Sequence, residues 1–119
     1  MVALILRPRP ELVPGHAYPI PVPGTRIRVE VLNGTRRAGL ARTATRALRA
    51  QGLDVVYFAT GPGADSTRIY VRRGEPGKGR DVAEALGVGR ITIQPDTLRR
   101  VDVTVLLGPD YRPRLPLHP

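Results

Sequence analysis

The stretch TRIRVEVLN sets Ile27, Val29 and Val31 against Arg26, Arg28 and Glu30 in alternation, the period of a strand with one dry and one wet face. Asn33-Gly34-Thr35 breaks that alternation, and the period then lengthens. In AGLARTATRALRAQG, Leu40, Ala44, Ala47 and Leu48 share one helical face while Arg42, Arg46 and Arg49 share the opposite one, and Gly52 supplies a C-cap. DVVYFATG reads as a second strand, closed by the turn GPGADS. STRIYVRRG is a third, with Thr67, Ile69 and Val71 on one side and Arg68, Tyr70 and Arg72 on the other. GKGRDVAEALG predicts a short helix that buries Val82, Ala83 and Leu86 and stops at Gly87. RITIQP is a short strand, DTLRR a link, and VDVTVLLG a stronger strand.

The order β-α-β-β-α-β-β predicts an α+β fold, a two-layer βαββαβ sandwich of ferredoxin-like type with an added strand. Right-handed crossovers would set both helices on one face of a mixed sheet. This domain spans about residues 25–108 and carries no internal repeat. Proline-rich segments flank it. Residues 1–24 hold six of the thirteen prolines, and YPIPVP forces Tyr18, Ile20 and Val22 into extended conformations, which reads as a semi-rigid stalk. Residues 109–119 read as a proline-rich tail, in which Pro113, Pro116 and Pro119 match a PxxP spacing that arises easily by chance. The apolar run from Val2 to Leu6 is too short for a membrane span or a signal sequence. It reads either as the end of an anchor encoded upstream of Met1 or as a chance apolar start.

Composition narrows the core and the partners. The 119 residues suffice for one domain, and with 41% apolar but only 4% aromatic residues its core must be aliphatic. Cysteine is absent, so there is neither a disulfide framework nor a thiolate metal site. The formal charge is +9, and Lys78 is the only lysine among 19 basic residues. Arginine excess fits a GC-rich coding sequence, and it equally fits bidentate contacts to phosphate or carboxylate.

Catalytic chemistry finds little to work with. Ser66 is the one serine, and His16 and His118 both lie in the proline-rich tails. The acids Glu30, Asp54, Asp65, Glu75, Asp81, Glu84, Asp96 and Asp102 are scattered, without ligand spacing for a metal. The chain therefore reads as a non-enzyme that needs no cofactor and no metal. Gly34 and Gly39 form a G-x-x-x-x-G, but Leu40-Ala41 stands where a P-loop needs Lys-Ser/Thr. Two readings of this corner remain. The helix start beside Arg36 and Arg37 could hold one phosphate or carboxylate. Alternatively, Asn33 and Gly34 make a plain turn, Thr35 caps the helix, and both arginines are solvated. Asn33-Gly34-Thr35 is also a glycosylation sequon, discounted at a structural corner. A second candidate is the open sheet face. If strands one and three are neighbours, Arg26, Arg28, Arg68, Tyr70 and Arg72 gather there with Glu30, as on a sheet that reads single-stranded RNA. Only one aromatic is visible in that set, and a solvated arginine-rich face is the plainer account.

RVEVLNGTRRAGLA, LRAQGLDVV, STRIYVRRG, DVAEALGV and VDVTVLLGPDY together resemble the LytR C-terminal domain, over about residues 25–111. VLNGT…GLA and DVTVLLGPDY are the most specific parts. The resemblance implies a setting outside the bacterial membrane, among wall glycopolymers, peptidoglycan and envelope proteins. The phosphotransferase domain of LytR-CpsA-Psr proteins is not in this sequence, so its activity and catalytic residues do not carry over. Arg36-Arg37 also departs from the small or apolar residues expected after NGT. The expectation is a non-catalytic accessory domain on the extracytoplasmic face, contacting an anionic wall glycopolymer or an envelope protein. Membrane contact would come only through an upstream anchor. The alternative is a single-stranded-RNA module that uses the basic sheet face. If the domain boundary is right, the fragment 25–111 melts within a few degrees of the full chain; its failure to fold would make the stalk part of the core.

Overall fold

The computed structural model describes residues 26–96 and 98–113. The stalk 1–24, His16, His118, Pro116 and Pro119 lie outside the described residues. Seven elements follow in the order the periodicity predicts: β1 (Arg28–Asn33), α1 (Leu40–Ala50), β2 (Asp54–Thr60), β3 (Arg68–Val71), α2 (Gly77–Leu86), β4 (Arg90–Ile93) and β5 (Val103–Leu107). They form a two-layer α+β sandwich, a mixed five-stranded sheet with both helices packed against one face and against each other.

The strand order is β2-β1-β5-β3-β4. β1 runs parallel to both β2 and β5, and β3 runs parallel to β4. The β3–β5 pair is antiparallel and joins two β-α-β units into one sheet. Strands one and three are therefore not neighbours, which corrects the arrangement on which the sheet-face candidate rested. The physical reason lies in β5. All five of its residues are buried, so it has no wet side and takes the centre.

Val103, Val105 and Leu107 meet Val29, Val31, Val55 and Ile69 in the core, under Leu40, Ala44 and Leu48 of α1 and Val82 and Leu86 of α2. Tyr111 belongs to this core, and burial raises its phenol pKa. Ala47 and Ala83, expected inside, are half-buried, and Thr45 takes the inward place on α1. Its hydroxyl is buried without a partner among the described residues. Both helices stop at left-handed glycines as expected: Gly52 has φ +87 just past α1, and Gly87 has φ +86 at the end of α2.

Gly34 is required for a different reason. Its φ is not positive, so backbone strain is not the cause. A Cβ there would lie 2.7 Å from the Leu107 carbonyl, 2.8 Å from the Pro62 carbonyl and 2.9 Å from the Ala64 Cβ. The Gly34 N–H donates to that Leu107 carbonyl at 2.9 Å, and its own carbonyl accepts from Ala64 N–H at 3.0 Å. Three segments thus converge on one residue that has no side chain.

Gly34→Val is expected to cost about 2 kcal/mol by overpacking, which lowers the melting temperature by roughly 10 °C. An unchanged melt would contradict the packing account. Thr45→Val keeps the shape and removes the unpaired hydroxyl, so calorimetry should find a gain of about 1 kcal/mol.

Candidate functional site

The corner after β1 is built from its own polar groups. The Asn33 Oδ1 accepts from the Thr35 N–H at 2.9 Å and from the Thr35 hydroxyl at 2.7 Å. The Asn33 Nδ2 donates to the Arg37 carbonyl at 2.8 Å, and the Arg37 N–H donates to Thr35 Oγ1 at 3.1 Å. Thr35 is thereby consumed in the turn and does not cap the helix, a correction to the plain reading of the motif. α1 begins only at Leu40, and its N-cap is Gly39, with φ 82 and no side-chain cap.

This arrangement pushes Arg36 and Arg37 out as exposed side chains ahead of an uncapped helix start whose first turn has no acid. Arg112 joins them. With Arg37, Gly39 and Thr43 it lines a recess of about 400 Å³. A neighbouring recess of about 700 Å³ is bordered by Arg36, Arg37 and Asp65. Among the described residues, no ion pair engages Arg36, Arg37 or Arg112. Arg112 could not be found by pattern, because it sits past the last strand and reaches the corner only through buried Tyr111.

The open sheet face is organised otherwise. β5 inserts Thr104 and Leu106 between the side chains of β1 and β3. The Glu30 carboxylate is nearly buried and accepts from the Thr104 hydroxyl at 2.7 Å and from Arg99. Arg99 also pairs with Asp96 at 3.3 Å. Arg72 donates through Nε to Thr104 Oγ1 at 3.0 Å and through Nη1 to Gln94 Oε1 at 2.9 Å. Its guanidinium lies 4.9 Å from the centre of the Tyr70 ring. Burial first, and then the charge of Arg99, pull the Arg72 pKa below the usual guanidinium value.

The expected sheet-face set is thus only partly assembled. Tyr70 and Arg72 meet directly. Arg28 is separated from Arg72 by Asp102, which accepts from the Arg28 N–H at 3.0 Å and pairs with Lys78 at 3.4 Å. Arg68 stands opposite Leu106 on β5 and Arg90 on β4. Arg26 pairs with Asp54 at the start of β2, at 3.7 Å. Arg36 and Arg37 belong to the corner.

A further aromatic, Tyr57, is on this face opposite Glu30 and is 55% exposed. Strict alternation from the buried Val55 would have turned Tyr57 inward. A β-bulge at Val56 reverses the parity, which no period-2 reading detects.

The family described as LytR cell envelope-related transcriptional attenuator matches residues 26–111. Among solved structures, the chain is similar to the soluble domain of a conserved hypothetical secreted protein from Mycobacterium marinum, with a TM-score of 0.56 and 23% identity. That match covers 72% of this chain and spans only 61% of the other, and at this identity it concerns the fold alone. The solution structure of the C-terminal domain of RV0431 is 22% identical over 82% of this chain and 84% of that one, but a TM-score of 0.44 carries no argument. No curated protein matches the chain. The family match takes in all five strands and both helices, from Arg26 to the buried Tyr111, and the chain therefore belongs to the LytR cell envelope-related transcriptional attenuator family.

Proposed function

We propose that the protein is a non-catalytic accessory domain of the bacterial cell envelope, on the extracytoplasmic face, which holds an anionic wall glycopolymer at its basic corner. The family description supports the envelope setting, and the similar Mycobacterium marinum protein is described as secreted. The observation that carries the polymer reading is how the arginines divide. Arg72 and Arg99 are engaged by Thr104, Gln94, Glu30 and Asp96 across the sheet. Arg37 and Arg112 line one recess at an uncapped helix start and Arg36 borders the next, all three exposed and without a described ion-pair partner. Arginine forks and helix N–H groups together favour phosphate or carboxylate oxygens.

One observation favours the RNA alternative. Tyr57 and Tyr70 lie in one cross-strand row with Glu30 and Thr104, so two aromatics face outward where the sequence showed one. Against it, Arg72 covers one side of the Tyr70 ring, and the Glu30 carboxylate stands between the two tyrosines.

The test is a parallel titration with a phosphate-bearing wall glycopolymer and with oligouridylate. The combined Arg36→Ser and Arg37→Ser variant should weaken polymer binding about tenfold. Wild-type affinity for the polymer should fall steeply with salt, since exposed charges are screened. Tyr70→Ala should leave the polymer untouched. A loss of about 1–3 kcal/mol in RNA affinity on Tyr57→Ala or Tyr70→Ala, with polymer binding absent, would decide for RNA.

A further inference from the structure

We infer that the outer edge of β2, from Tyr57 to Thr60, accepts an acidic, extended polypeptide segment as an added strand, with its carboxylates held by arginines of α1. Strand addition goes beyond polymer binding and uses the sheet edge, which meets the basic corner at Gly39.

β2 is the last strand on its side of the sheet. The N–H groups of Asp54 and Gly61 point inward, donating to the Ile27 carbonyl at 2.9 Å and the Asn33 carbonyl at 3.0 Å of β1 and its approach. Backbone groups alternate in direction along a strand, so counting back from Gly61 turns those of Phe58 and Thr60 outward. The first half of this edge is closed. Arg49 Nη2 donates to the Val55 carbonyl at 2.7 Å, and the bulge at Val56 twists the chain away from any straight partner. The second half has neither device. It is also open: Tyr57 is 55% exposed and Phe58 38%.

The occupant follows from chemistry along that edge. Alternating outward N–H and C=O groups are matched by an extended polypeptide backbone, which a glycopolymer cannot supply. Arg42, Arg46 and Arg49 form one stripe of α1 at four- and three-residue spacing. Arg49 reaches Val55, and Arg42 borders a recess of about 330 Å³ with Phe58, Ala59 and Thr60, so the stripe runs beside β2. No described carboxylate pairs with Arg42 or Arg46. A strand with carboxylates on its helix-side positions answers this charge, and one of them fits the recess beside Arg42. A second copy of the chain does not: two-fold pairing of β2 with itself would bring two arginine stripes together.

The experiment follows backbone amide shifts of the isotopically labelled full chain on titration with three blocked hexapeptides. One alternates glutamate and valine, one alternates lysine and valine, and one is the glutamate peptide N-methylated on alternate amides. The glutamate peptide should move the Phe58 and Thr60 amides, and the other two should not. Arg42→Glu with Arg46→Glu, both exposed, should weaken the glutamate peptide at least about tenfold and admit the lysine peptide. Arg36→Ser with Arg37→Ser should leave peptide binding intact, which separates this surface from the polymer corner. Undiminished binding of the N-methylated peptide would overturn strand addition, and equal binding of the lysine peptide would overturn the charge argument. No shift with any peptide, or a concentration-dependent dimer through Phe58 and Thr60, would overturn the inference outright.

Discussion

Val103, Val105 and Leu107 close the core on one face of β5, while Thr104 and Leu106 are buried on the other. Such a strand must be covered on both faces and paired along both edges, and the rest of the molecule arranges itself around that requirement. β1 and β3 take its two edges, each bringing the helix and the parallel strand that follow it. The Leu107 carbonyl receives the Gly34 N–H at the end of β5, which fixes where the corner after β1 must turn. Thr104 sits at the middle of the open face as the bridge between Glu30 and Arg72. The basic corner and the charged sheet face therefore both depend on one central strand.

Electrostatics then divides the arginines by environment. Those over the sheet meet a nearly buried carboxylate that would be costly to leave unpaired, and Arg99 and Arg72 are drawn into its network. Those at the corner face solvent beside a helix start, where the partial positive charge of the first N–H groups adds to theirs. A charge of +9 summed over the chain hides this difference. Only the sheet topology separates arginines that hold the fold from arginines left free to hold something else.

Much of the fold is legible in the linear pattern. The alternation in β1 and β3, the helical period of α1 and α2, and the stops at Gly52 and Gly87 follow from local geometry, and each element stands where its period puts it. Strand neighbours are not local. VDVTVLLG reads as a strong strand, but its capture between β1 and β3 depends on burial of both faces in three dimensions. The bulge at Val56 is a single extra residue without a compositional mark, and it exchanges the faces of Tyr57 and Phe58. Gly34 is visible as a corner glycine, yet its cause is contact with Leu107 and Pro62, far apart in sequence. Arg36 and Arg37 were legible as a candidate pair because they flank a turn; Arg112 was not, because Tyr111 carries it there from beyond the last strand.

The centrality of β5 is tested most directly by hydrogen exchange on the native full chain. A strand paired on both edges releases its amides only when the whole domain opens, whereas an edge strand exchanges through local fraying. The account predicts that the amides of Val103 to Leu107 are among the slowest in the molecule and exchange at the rate set by global unfolding. Exchange of those amides as fast as that of the outward-facing Phe58 and Thr60 would contradict it.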